Sequence, residues 1–162
     1  MEIERKFVIP ALPENLDQYP CDQIVQAYIC RSPVIRIRRK NDQFILTVKG
    51  EGLLAREETE LPLPEESYQS LLTKTEGSTI RKRRYRIPEQ NGLTIELDVF
   101  EGDYDGLIMA EVEFPDLESA DKYLPPSWFG REVTTDPRYF NSSLSENQPD
   151  LIPEISSHKF KK

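Results

Sequence analysis

Met1-Glu2-Ile3-Glu4-Arg5-Lys6-Phe7 places charged side chains at every second position. In an extended strand residues i, i+2 and i+4 share a face, so Glu2, Glu4 and Lys6 stand together while Ile3 and Phe7 belong to the opposite face. The same spacing returns along the chain in Arg36 and Arg38, Thr47 and Lys49, Glu58 and Glu60, Lys82 and Arg84, Glu96 and Asp98, and Glu111 and Glu113. Ile95, Leu97, Val99, Val112 and Phe114 fill the alternate places of the last two segments and form a regular apolar face. The pattern predicts a series of half-buried antiparallel strands.

Alternation alone is the ordinary mark of a sheet with one face in water. Here the polar pairs are sorted by sign, purely basic at 36/38 and 82/84 and purely acidic at 96/98 and 111/113. Like charges side by side on one face repel, so each set needs a compensating partner. Divalent cations with a polyanion would satisfy both: carboxylates suit Mg²⁺ or Mn²⁺, and Arg and Lys suit phosphate oxygens. A sheet closed into a barrel with its charged face inward would gather both sets around a polyphosphate.

The ordered series, opening on Glu2-Ile-Glu-Arg-Lys6, resembles the CYTH domain, or triphosphate tunnel metalloenzyme, superfamily. Gln26-Ala-Tyr28 and Val133-Thr-Thr-Asp136-Pro-Arg138-Tyr139 are similar to its recurring segments, and the likeness runs from residue 2 to about 141. It implies an α+β, mainly antiparallel β fold, a closed eight-stranded β-barrel or tunnel with flanking helices, binding a triphosphate with two Mg²⁺ or Mn²⁺ ions. The resemblance implies Glu2, Glu4, Glu111 and Glu113 as the main metal cluster, with Asp98 a further ligand. Lys6, Arg36, Arg38, Lys49, Lys82 and Arg84 are the expected phosphate cradle, and Glu2, Glu4, Lys6, Glu111 and Glu113 the expected catalytic set. Glu58 and Glu60 either hold a second ion or form salt bridges across the wall; Glu96, Tyr28 and Arg138 complete the candidates, with Tyr28 and Tyr139 read first as packing residues.

Members of the superfamily include inorganic, nucleoside, thiamine and RNA triphosphatases and one class of adenylate cyclase. The expected activity is hydrolysis of inorganic tripolyphosphate to pyrophosphate and phosphate, with nucleoside triphosphates as poorer substrates. An adenylate cyclase, a thiamine triphosphatase and a non-enzymatic polyphosphate-binding module are the alternatives.

The 162 residues, 37% hydrophobic and 31% charged, suffice for one core. We expect a single domain over 1–146 and a tail over 147–162, whose apolar island Leu151-Ile-Pro-Glu-Ile155 docks or frays and whose closing Lys159-Phe-Lys-Lys162 is a solvated end. A net charge of −8 argues against nucleic acid as a partner. The expected partner is a small polyphosphate, and a homodimer is compatible with the sequence. No apolar run approaches the ~20 residues of a membrane span, and Met1 leads straight into the charged strand, so a cytoplasmic protein with Cys21 and Cys30 as free thiols is expected. The single histidine, His158, argues against catalytic triads and His-rich zinc sites. Neither a GxxxxGK[ST] loop nor a GxGxxG turn occurs, so phosphates must be held by side chains.

Strands are predicted over 23–31, 32–40, 43–49, 55–61, 79–87, 93–100 and 107–114, with turns at Asn41-Asp42 and Asn91-Gly92. Alternation sends Arg81 and Arg83 outward from 79–87. A helix is predicted over 65–74, and a second from an Asp116 cap to Tyr123, burying Leu117, Ala120 and Leu124. Trp128-Phe-Gly130 reads as an apolar plug against the barrel.

Overall fold

Alternating inward charge and outward hydrocarbon leaves these strands one way to bury their apolar face, which is to wrap the charged face inside and cover the outside. The computed structural model, which describes residues 1–52, 54–146 and 149–155, is built this way. Its strands are β1 (Glu2–Val8), β2 (Cys21–Arg31), β3 (Val34–Lys40), β4 (Gln43–Lys49), β5 (Ala55–Arg56), β6 (Glu58–Leu63), β7 (Glu76–Pro88), β8 (Thr94–Phe100) and β9 (Ile108–Glu113). Helices include α1 (Glu65–Leu72), α2 (Leu117–Lys122) and α3 (Asn141–Leu144), with short 3-10 turns between elements. No described helix is long and apolar enough to cross a membrane.

All pairings are antiparallel, in the order β5-β1-β9-β8-β7-β2-β3-β4-β6. The strand expected over 55–61 is interrupted at Glu57, whose carbonyl accepts from the Gly50 amide at 2.9 Å. Its two halves sit at opposite ends of the order, β5 on β1 and β6 on β4. Nine strands therefore occupy eight positions around the wall, and this split strand closes the barrel.

Register explains the sidedness. Lys6 lies opposite Glu111, Arg84 opposite Asp98, Arg38 opposite Gln26 and Lys49 opposite Glu58, so inward positions meet inward positions around the barrel. The outward set Ile3, Phe7, Tyr85, Ile87, Ile95, Leu97, Ala110, Val112 and Phe114 forms one outer core, covered by Trp128, Phe129 and α2. Phe129 lies on Phe7 at 4.9 Å between ring centroids. Gly130 passes so close that a Cβ there would meet the Val8 carbonyl at 2.7 Å. A second outer core seats Tyr68 of α1 on Ala27 and Ile37.

Two helix expectations need correction. Asp116 does cap α2, accepting from the Ser119 amide at 2.7 Å, and Ala120 is buried, but Leu117 and Leu124 are 55% and 87% exposed. This short helix docks by polar contacts instead: the Arg5 guanidinium donates to the carbonyls of Ala120 and Tyr123 at 2.8 and 3.0 Å. α1 ends at Leu72, two residues short of the prediction.

At one end the inward columns turn apolar. Val8, Ile80, Phe100 and Met109 follow Lys6, Lys82, Asp98 and Glu111 at the two-residue spacing, and they pack with Tyr104, Leu107, Val133, Tyr139, Leu144, Ile152 and Ile155. Each such side chain contributes about 1.5–3 kcal/mol when fully buried. The apolar island near 151–155 thus docks, held further by Glu154, which accepts from Tyr139 at 2.6 Å and pairs with Arg131 at 3.3 Å. The expected passage is filled here and becomes a chamber. His158 and Lys159 to Lys162 lie outside the described residues.

Candidate active site

The chamber holds about 210 Å³ and is lined mainly by charged side chains. Of the expected residues it gathers Glu2, Glu4, Lys6, Tyr28, Arg36, Arg38, Lys49, Glu58, Glu60, Arg84, Glu96, Glu111 and Glu113. Three expectations fall elsewhere. Arg138 sits on the surface, pairing with Asp136 at 2.7 Å. Asp98 and Lys82 are 1% and 0% exposed and stand behind the lining. Asp98 accepts from Arg84 Nε and Nη2 at 2.7 and 2.9 Å and pairs with Lys82 at 2.7 Å, so both its oxygens are engaged by cations and it holds the cradle in place.

Sequence reading missed Lys40, Arg56, Phe140, Asn141 and Ser142, which also line the chamber. Lys40 and Arg56 carried the signal, extending 36/38 forward and 58/60 backward at the same spacing. Phe140, Asn141 and Ser142 belong to the segment entering α3, where no strand period exists to read.

Most of these charges are paired. Lys49 reaches Glu2 at 2.9 Å and Glu58 at 3.4 Å, Arg84 reaches Glu96 at 2.9 Å, and Lys6 reaches Glu111 at 3.5 Å. Arg36 and Arg38 are the exceptions among the cations of the expected cradle. Both are buried, neither has a carboxylate partner among the described residues, and their side-chain hydrogen bonds go to neutral groups, Thr47 at 3.2 Å and Gln26 at 3.2 Å. Arg36 Nε has no hydrogen-bond partner among the described residues. On the acidic side Glu4 and Glu113, cross-strand partners, have no ion pair among the described residues. A buried charge without a partner is costly; the unpaired basic pair is buried, and an unpaired acidic pair, Glu4 half-buried and Glu113 exposed, lines the same chamber.

The family model of the CYTH domain matches residues 1–143. The chain belongs to the CYTH domain family. An inorganic triphosphatase of Nitrosomonas europaea is 37% identical over 149 residues, 91% of this chain and 99% of that protein. One of Acetivibrio thermocellus is 37% identical over 149 residues, 90% of this chain and 94% of that protein. The crystal structure of an inorganic triphosphatase superposes with a TM-score of 0.68 at 33% identity, covering 92% of this chain and 97% of that one. A putative adenylyl cyclase from Hippeastrum with dominant triphosphatase activity shares the fold, with a TM-score of 0.61 at 17% identity over 75% of this chain and 83% of that one. Membership implies dependence on a divalent metal.

Electrostatics in the CYTH chamber follow from burial and neighbours. Burial pushes the Glu4 carboxyl up to about 8, and repulsion from Glu111 and Glu2 outweighs the pull of Lys6. Glu113 is raised by burial and by Glu2, Glu58 and Glu96. For Glu111 burial acts upward too, but Lys6, Arg84 and Lys82 together hold it well below the carboxylate range. Asp98 is likewise held low, with Arg84 and Lys82 overcoming burial. Burial lowers Arg38 to about 9, with Arg36 and Arg84 adding repulsion. Near neutral pH Glu4 holds a proton that a cation could displace, Glu113 is raised in the same sense, and the unpaired arginines lack an anion.

Proposed function

We propose that this CYTH chain hydrolyses inorganic tripolyphosphate to pyrophosphate and phosphate with Mg²⁺ or Mn²⁺, using two ions. The observation that carries the reading is the pair of unpartnered charges of opposite sign in one chamber, Arg36 with Arg38 and Glu4 with Glu113. The curated relatives, inorganic triphosphatases at 37% identity over most of the chain, support it.

The donor set fits a hard divalent cation in part. Glu2, Glu4, Glu111 and Glu113 are oxygen donors on adjacent strands, yet among the described residues no three such groups converge closely enough to hold an ion unaided. Phosphate oxygens completing the coordination suit Mg²⁺, which commonly joins one or two carboxylates to substrate phosphates. Such an ion, when bound, would polarise phosphoryl oxygens and lower the pKa of a water. Arg36, Arg38, Lys6 and Lys49 bind the equatorial oxygens and neutralise charge moving toward the leaving pyrophosphate. Lys49, tied to Glu2 and Glu58, and Arg84, tied to Asp98 and Glu96, arrive already oriented. The lining offers little apolar surface for a nucleobase, which favours the inorganic substrate.

Purified protein with Mg²⁺ or Mn²⁺ should release phosphate from tripolyphosphate, and EDTA should abolish the release. Metal-independent binding without turnover would instead identify a binding module, and formation of cyclic AMP and pyrophosphate from ATP would identify a cyclase.

A pH dependence follows from Glu4. The unfolded carboxyl ionises near 4.5 and the folded one near 8, so between these values the folded state retains a proton that the unfolded chain has lost. Stability of the metal-free protein should therefore fall as pH rises, and Glu113, also raised, acts in the same sense. Asp98 and Glu111 are lowered, so their contribution is lost only on acidification below the normal carboxylate range. Burial lowers Lys82 to about 7, which opposes the trend above that pH. Tm measured from about pH 5 to pH 7 should decline without metal and flatten with saturating Mg²⁺, which takes the place of the proton. A flat metal-free profile would remove the buried-proton account of Glu4.

A further inference from the structure

Resting on the hydrolase reading, we propose that Asn141 is a phosphate-binding residue, its amide oriented by Lys82 and Asp98 so that its N–H donors meet the end of the polyphosphate lodged at the closed end of the chamber.

Asn141 lines the chamber beside Phe140 and Ser142. Its Oδ1 accepts from the Lys82 ammonium at 3.2 Å, and that ammonium is anchored by Asp98 at 2.7 Å. An ammonium can only donate, so the contact fixes which way the amide faces: the oxygen turns to Lys82 and the NH₂ group turns away. Asn141 Nδ2 has no hydrogen-bond partner among the described residues. Lys82 itself is fully buried and does not reach the lining. It acts through Asn141, as a positioning residue.

The segment carrying Asn141 is fixed to the barrel. Arg31 Nε donates to the Ser142 carbonyl at 3.1 Å and to Ser145 Oγ at 3.0 Å, and the Ser78 amide donates to the Ser145 carbonyl at 2.6 Å. Gly77, at φ +72°, permits this approach, since a Cβ there would lie 2.3 Å from the Ser145 oxygen. Beyond Asn141 the barrel is filled by Leu144, Ile152 and their neighbours. A chain entering from the open side stops at this wall, so the group meeting Asn141 is a terminal phosphoryl group. A polyphosphate esterified at both ends presents no such group.

The test compares wild-type protein with Asn141→Ala and Asn141→Asp, with Mg²⁺, on tripolyphosphate. Asn141→Ala should raise KM about tenfold, the loss of one hydrogen bond to a charged group, while kcat falls by less than about threefold. Asn141→Asp keeps the Lys82 contact as an ion pair and should fold at least as well, yet it presents only acceptors and should raise KM further. Tm reports folding for both. In competition assays with wild-type protein, tetrapolyphosphate should inhibit and a dinucleoside triphosphate should not. If KM is unchanged in both variants, or the doubly esterified compound competes as well as tetrapolyphosphate, the assignment is overturned. Should wild-type protein neither hydrolyse nor bind tripolyphosphate by calorimetry, the hydrolase reading fails. Binding that is equal in wild type and variants defeats the role of Asn141 alone.

Discussion

Glu4→Gln is expected to lower kcat for tripolyphosphate by at least about a hundredfold while leaving Tm equal to or above that of wild type. The two readouts move apart for one reason. In the metal-free protein Glu4 is a half-buried carboxyl without an ion-pair partner among the described residues, raised to about 8 by desolvation and by Glu111 and Glu2. A neutral amide of the same shape stands in for the protonated carboxyl, so the fold loses nothing. The same change removes the negative oxygen that a divalent ion needs, and it does so on β1, where Glu4 faces Glu113 across the strand pair. Calorimetric titration with Mn²⁺ should show weakened binding in parallel with the loss of turnover. A Glu4→Gln protein with wild-type kcat at saturating metal would remove Glu4 from the site. A large drop in Tm would instead mean that the carboxylate serves the fold.

The barrel was legible because its signal is additive. One alternating segment such as Glu2-Ile-Glu-Arg-Lys6 is ambiguous between an outer and an inner polar face, but sorted signs at 36/38, 82/84 and 111/113 demand partners that water and mixed neighbours do not supply. Period two tells which side chains share a face, and so Arg36, Arg38, Glu4 and Glu113 could be brought together on paper. It is silent about what a residue on that face touches. Asp98 has the same spacing from Glu96 as Glu113 from Glu111, yet register sets it against Arg84, and its oxygens are taken up there. The closed end was hidden for a related reason: Val8, Ile80, Phe100 and Met109 continue the charged columns by two residues, but nothing local says that Leu144 and Ile152 will arrive from far along the chain to cover them. Asn141 lies on a four-residue helix without any period. Leu124 failed in the other direction, an apolar residue at a helical spacing on a helix too short to bury it.

Asp98→Ala is expected to destabilise the protein by about 3–5 kcal/mol, the usual cost of removing one partner from a buried ion pair. Asp98 is the shared counterion of Arg84 and Lys82, all three buried, with contacts of 2.7 to 2.9 Å. Its removal leaves the Lys82 ammonium in a closed wall with Asn141 as its remaining hydrogen-bond partner among the described residues, while Arg84 keeps Glu96 at 2.9 Å and Glu111 at 3.9 Å. Lys82 is already lowered by burial, and loss of Asp98 would lower it further, so the variant is expected to relieve the unpaired charge by releasing the Lys82 proton. For a chain of this size the loss corresponds to a Tm drop on the order of 10 °C, measurable by calorimetry or circular dichroism. The double variant Asp98→Ala with Lys82→Met should recover part of the loss, because the orphaned cation goes with its partner. If Asp98 were instead a metal ligand, Asp98→Ala would keep the metal-free Tm and lose only metal affinity. Thermal melts in EDTA separate these outcomes, because a metal ligand contributes nothing to a protein stripped of metal, whereas a counterion buried between two strands contributes in full.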